Sequence, residues 1–103
     1  MILTDAYVTD SLDQLRHDLR ATGLSQHLGF VAARAAEVAT FQDEPKRFVE
    51  KVVEDVQQRL QDEFIDTTWP ACPRHPNHPL NYADGAWRCP RDGAPVAPLG
   101  GLG

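Results

Sequence analysis

The chain is poor in cysteine, lysine and isoleucine, and it has no long apolar run. Its 103 residues include two cysteines, Cys72 and Cys89. No apolar stretch approaches the roughly 20 residues of a membrane span, so no membrane is expected among its partners. Residues 1–10 lack a basic segment and carry Asp5 and Asp10, which argues against a secretory signal and makes a cytoplasmic location the default expectation. In a reducing compartment a disulfide is the rarer use of a cysteine pair, and thiolate or metal chemistry takes precedence. A glycine-rich phosphate loop and a Gly-X-Ser-X-Gly elbow are absent. No glutamate follows Glu63, which removes the nucleobase-deaminase pattern. Lysine is confined to Lys46 and Lys51 and isoleucine to Ile2 and Ile65, a bias that implies a high-GC bacterial or phage genome.

What is present is an ordinary folded composition, 42% apolar and 24% charged, enough for a modest core. The net charge of −5 is unevenly placed. Residues 1–68 carry seven basic against thirteen acidic residues, whereas residues 69–103 carry Arg74, Arg88 and Arg91 against Asp84 and Asp92. An acidic body disfavours bulk phosphate binding, which needs a basic footprint, and makes another protein the expected partner. Nucleic-acid contact is left to the C-terminal stretch alone.

Three helices are expected in the first two-thirds. Residues 1–10 read as an irregular or partly extended arm. Ser11, with Gln14 three residues on, has the spacing of a capping box before Leu12, Leu15 and Leu19, and Gly23 is a stop signal. A second helix starts near Ser25 with Leu28, Val31, Ala32, Ala35, Val38 and Ala39 on its apolar side, and Gly29 weakens its start by about 1 kcal/mol relative to alanine. The third is the clearest. Asp43-Glu44-Pro45 suits a helix N-terminus, and Phe48, Val49, Val52, Val53, Val56, Leu60 and Phe64 recur at helical steps. Its stripe is too wide for a strict heptad seam; it predicts a core helix, with homodimer formation through residues 45–66 as the alternative.

After Asp66 the texture changes, since seven of the eight prolines lie in the last third and nearly exclude helix there. Leu80–Tyr82 and Ala86–Cys89 predict two short strands around an Asp84-Gly85 turn. The Pro/Gly/Ala-rich segment 94–103 reads as a loosely held tail.

The same region carries the only pattern that points to specific chemistry. Each cysteine opens a Cys-Pro-Arg-X step: Cys72-Pro73-Arg74-His75, and Cys89-Pro90-Arg91-Asp92-Gly93. A two-residue gap lets both ligands of one tight turn converge on a metal ion, and Gly93 lets the backbone leave the turn with positive φ. Cys72, His75 and Cys89 are the favoured ligands. His78 and Asp92 contest the fourth place. His78 has the better ligand chemistry for structural zinc, and Asp92 has the better position in the motif.

This segment resembles a zinc ribbon, whose knuckles read Cys-Pro-X-Cys-Gly. The resemblance covers residues 72–93 and departs at half of the expected ligand positions. The wider stretch Trp69-Pro70-X-Cys72-Pro73-X-His75-Pro76-X-His78-Pro79, with Trp87-X-Cys89-Pro90 after it, also resembles a tail of short proteins of high-GC bacteria and phages, which carries no assigned activity. The resemblance implies a structural zinc held between two turns. Two other outcomes stay open: a hairpin that has lost its metal and is held by Trp69, Trp87, Tyr82 and Leu80, and a Cys72–Cys89 disulfide or reactive thiol.

Trp69 and Trp87 are either the core of this segment or, with Arg74, Arg88 and Arg91, an exposed platform for a base or peptide. His17 and His27 lack acidic partners at bridging spacing and read as surface or cap residues. Glu50, Glu54, Asp55, Asp62, Glu63 and Asp66 read as a solvated helix surface. The expected protein is α+β: two to three N-terminal helices form an acidic bundle over residues 1–68, and a zinc-ribbon-like β-hairpin with a flexible tail fills 69–103. The expected function is non-enzymatic, a zinc-binding adaptor or accessory protein for another macromolecule. The alternatives are a nucleic-acid-associated regulator using the ribbon's arginines and tryptophans, and a small metal-dependent hydrolase whose fourth metal position is open to water.

Overall fold

Helix α1 (Ala6–Ala21) begins earlier than the Ser11 capping pattern predicts. The computed structural model, which describes residues 2–63 and 68–102, places a short 3₁₀ turn at Ile2–Thr4 and then the cap at Asp5, whose carboxylate accepts the Val8 N–H at 3.2 Å. The expected irregular arm is therefore largely helical. The reason is the apolar register: Val8, Leu12, Leu15 and Leu19 continue one stripe, and all four are buried. Ser11 lies inside the helix on the same buried side.

Gly23 ends this helix as its sequence position predicts. It adopts φ +81°, the Gly23 N–H donates to the Arg20 carbonyl and the Leu24 N–H to the Leu19 carbonyl. This paired arrangement satisfies carbonyls that the last turn would otherwise leave open. A 3₁₀ turn (Ser25–His27) leads into α2 (Leu28–Val38). Helix α3 (Pro45–Asp62) has Pro45 in its first turn and Glu44 as N-cap, accepting the N–H groups of Lys46 and Arg47. Phe48, Val49, Val52, Val53, Val56 and Leu60 are buried against α1 and α2, so this stripe serves the chain's own core. Phe64 and Asp66, assigned above to the end of this helix and the change of texture, lie outside the described residues.

The C-terminal third forms two small antiparallel sheets. Strand β1 (Ala71–Cys72) pairs with β2 (His75–Pro79), with Cys72 opposite His75. Strands β3 (Asn81–Ala83), β4 (Ala86–Arg88) and β5 (Pro95–Pro98) form a second sheet in that order. The expected turn between β3 and β4 is present, with Asp84 at φ 52° and Gly85 at φ 77°. This matches the backbone of a type I′ turn, whose two central residues both need positive φ.

Residues 94–103 were expected to be loosely held; the described part is docked. Pro95 and Pro98 lie opposite Arg88 and Ala86 at the ends of the edge strand β5, where a missing N–H is tolerated. Leu99 is buried and its N–H donates to the Gly85 carbonyl at 3.0 Å. Buried residues of the helices and of Trp69, Cys72, Leu80, Trp87, Cys89 and Leu99 belong to one continuous cluster. Gln57 of α3 adds a polar tie, donating to the carbonyls of Trp69 and Leu80 at 3.2 and 2.9 Å.

Gly100 packs closely against α1. Its φ is +89°, and a Cβ there would stand 2.9 Å from Gln14 Cγ and 3.0 Å from Gln14 Cβ on α1. Gly100→Ala is expected to lower stability by about 1–3 kcal/mol, the cost of a strained backbone conformation, with steric displacement of the tail in addition. A thermal melt unchanged within error would show that the segment is not docked this way.

Candidate metal centre

The two Cys-Pro-Arg-X steps sit in facing turns, the first between β1 and β2 and the second between β4 and β5. The second turn is closed by two backbone bonds, Gly93 N–H to the Cys89 carbonyl at 3.0 Å and Cys89 N–H to the Ala94 carbonyl at 2.9 Å. Gly93 has φ +74°, the conformation that the glycine after the motif was expected to supply.

The turns bring Cys72, His75 and Cys89 together, with their ligand atoms all within 4.8 Å of one another. His75 Nδ1 is 3.6 Å from Cys72 Sγ and 3.5 Å from Cys89 Sγ. Two ligands about 2.3 Å (sulfur) and 2.0–2.1 Å (nitrogen) from a tetrahedral ion stand about 3.5–3.6 Å apart, so these separations are those of neighbouring ligands on one metal. They also suit thiol–imidazole hydrogen bonds, which would hold the same three side chains in place without an ion. The group can hold a metal ion, and its two sulfurs and one imidazole are a donor set of borderline softness.

The local electrostatics favour the anionic thiol that a metal requires. Burial pushes the Cys72 thiol up, but the backbone N–H groups of Arg74 and His75, then Cys89 and the charge of Arg74, bring it below its ordinary value.

His78 and Asp92, the two contenders for the fourth place, are not part of the three-residue group. His78 is exposed on β2, three residues beyond His75. The β1–β2 register shifts between the Cys72–His75 and Ala71–Pro79 pairs, so His78 lies in an irregular part of the strand. The Asp92 carboxylate has other partners: Oδ1 accepts the Ala94 N–H at 2.9 Å and an Arg74 N–H at 3.2 Å, and Oδ2 stands 3.1 Å from Arg74 Nη1. The Ala94 N–H, and then Arg74 and a side-chain hydrogen bond with Cys89, hold the Asp92 carboxyl below its usual range against its partial desolvation.

Trp87 is fully buried and Trp69 nearly so, their rings meeting edge to face at 5.5 Å, while Tyr82 meets Trp87 at 5.6 Å. The rings are core, as the first of the two readings expects, and the exposed aromatic platform is not formed. Arg88 is occupied by the carbonyls of Ala83 and Gly93 at 3.2 Å each, and Arg74 by Asp92. The large apolar side chains that are exposed among the described residues, Tyr7 and Phe41, lie on the helical side of the chain.

One residue that sequence reading passed over organises the region from behind. Asp18 of α1 is fully buried. Its Oδ2 accepts the Trp87 Nε1–H and the Gly100 N–H, both at 2.8 Å, and its Oδ1 accepts the Leu102 N–H at 3.0 Å. It shares a buried helix face with Ser11, seven residues earlier, but in the sequence an isolated aspartate between Leu15 and Leu19 reads as solvated.

Comparison with protein-family models, curated proteins and solved structures finds no match to this chain. Among the described residues no helix is long and apolar enough to cross a membrane.

Proposed function

We propose that this protein is a non-enzymatic zinc-binding adaptor or accessory protein, in which zinc fastens the C-terminal sheets and another macromolecule is bound. The observation that carries the metal half is the convergence of Cys72, His75 and Cys89 from two separate turns at ligand-to-ligand spacing. Zinc is the preferred ion because two thiolates and an imidazole match its ligand chemistry. The placement of each ligand turn between two antiparallel strands supports the zinc-ribbon resemblance.

The binding half rests on charge and surface. The acidic residues concentrate in the helical part, and Glu50 and Glu54 flank a shallow cleft with Gln57, Asn81 and Tyr82 beside α3. Such a surface suits a protein partner and repels a phosphate backbone.

Native mass spectrometry before and after chelation tests the reading. One zinc ion per chain is expected, lost on chelation, together with no nucleic-acid binding that falls with salt. An unchanged mass after chelation removes the metal, and a steep salt-dependent affinity for nucleic acid, reduced by Arg91→Ala, replaces the adaptor with the regulator.

A further inference from the structure

We infer that the metal held by Cys72, His75 and Cys89 keeps its fourth position for a donor from outside the chain, occupied by water at rest and exchangeable for a small anion. This rests on the metal-binding reading above and extends it from a closed scaffold site to an addressable one. Zinc takes four ligands, and a site with three protein ligands, including the two-cysteine, one-histidine set, is the arrangement that leaves a place for water or substrate. Among the described residues the chain brings three ligands together and no fourth.

Both internal contenders stand outside the three-residue group, although Asp92 reaches the edge of the centre with a side-chain hydrogen bond to Cys89. His78 is exposed on the strand beyond His75. Asp92 would have to give up Arg74 and the Ala94 N–H, a bidentate ion pair and a backbone bond that fit its carboxylate as it stands.

The centre also lies close to solvent. His75 is half-buried, and it is flanked by exposed Pro73, Arg74 and Pro76 on its own turn and by exposed Arg91, Asp92 and Gly93 on the other. Two thiolates bring a divalent ion to neutrality, so a small anion at the fourth position adds one negative charge beside the Arg74 guanidinium. The exchange is a simple substitution: the metal–oxygen bond to water breaks as the bond to the anion forms, with no change of oxidation state.

Cobalt(II) in place of zinc makes the site visible, because its visible absorption reports ligand identity and number. The full-length protein is loaded with one equivalent of cobalt(II) and titrated with azide. The expected result is a saturable shift of the visible bands, retained in His78→Ala and in Asp92→Ala. Bands that do not move with azide in the wild-type protein overturn the inference. So does a shift that appears only in Asp92→Ala or only in His78→Ala, since that identifies the residue filling the fourth place. Failure to take up cobalt(II) or zinc at all is a separate outcome: it removes the metal-binding reading, and the open position with it.

Discussion

Cys89→Ser is expected to abolish stoichiometric zinc binding and to remove the difference in melting temperature between zinc-loaded and chelated protein. Cys89 comes from the second turn, whereas Cys72 and His75 come from the first, so losing it removes the only member of the group that joins the two sheets. Apparent binding energies for structural zinc in small peptides are about 10–16 kcal/mol at neutral pH, and a protein in a thousandfold excess of free metal over its Kd gains about 4 kcal/mol of stability from it. Wild-type protein should therefore melt well below its zinc-loaded midpoint once a chelator is added. The serine variant should melt at one temperature in both conditions. Identical wild-type melts with and without chelator would mean that the edge-to-face pair Trp69–Trp87 and the shared core hold the sheets without metal.

The second large effect is expected far from the cysteines. Asp18→Ala should destabilise the protein by about 3–5 kcal/mol in a urea titration, because hydrogen bonds to a charged acceptor contribute about 1.5–3 kcal/mol each and three are lost together. The aspartate accepts three hydrogen bonds, from Trp87, Gly100 and Leu102, and none of those donors lies in its own helix. Truncation leaves three N–H groups without their acceptor, and each buried orphan costs about 1–3 kcal/mol where water cannot reach it. Asp18→Asn retains one acceptor oxygen but turns an NH2 group toward an N–H donor, so it should fall between the wild type and alanine. A loss below about 1 kcal/mol for the alanine variant would show that water replaces the carboxylate, and that the tail is not anchored to α1 through it.

These two expectations separate what each part of the chain contributes. The metal turns join sheet to sheet, whereas Asp18 joins helix α1 to the central strand β4 side and to the tail. Zinc-independent folding with a sensitive Asp18 would describe a protein whose helices organise the sheets. Zinc-dependent folding with a tolerant Asp18 would describe the reverse.

Much of this was legible along the chain because its cues are local. The spacing of Phe48, Val49, Val52, Val53, Val56 and Leu60 dictates which face of α3 is buried, and Pro45 and Gly23 mark helix limits through φ and hydrogen-bonding constraints that act within a few residues. The Asp84-Gly85 turn and the Cys72–His75 step follow from the same short-range geometry. The sequence alone also singles out Cys89 as a ligand candidate, because the Cys-Pro-Arg-Asp-Gly run carries its own turn.

Only the tertiary structure decided the remainder. The start of α1 at Asp5 rather than Ser11 has a cue in the spacing of Val8 with Leu12, Leu15 and Leu19, but the burial of Val8 in the core is what decides between the two caps. The docking of residues 94–102 depends on pairing with β4 and, for Gly100 and Leu102, on an acceptor more than eighty positions earlier, so composition alone made that segment look loose. That His75 joins the cysteines while His78 does not, and that Asp92 is engaged by Arg74 eighteen residues away, are likewise settled by the folded chain. Residue type and spacing name the side chains able to bind a metal; which of them converge depends on where distant backbone places them and on what else competes for their lone pairs.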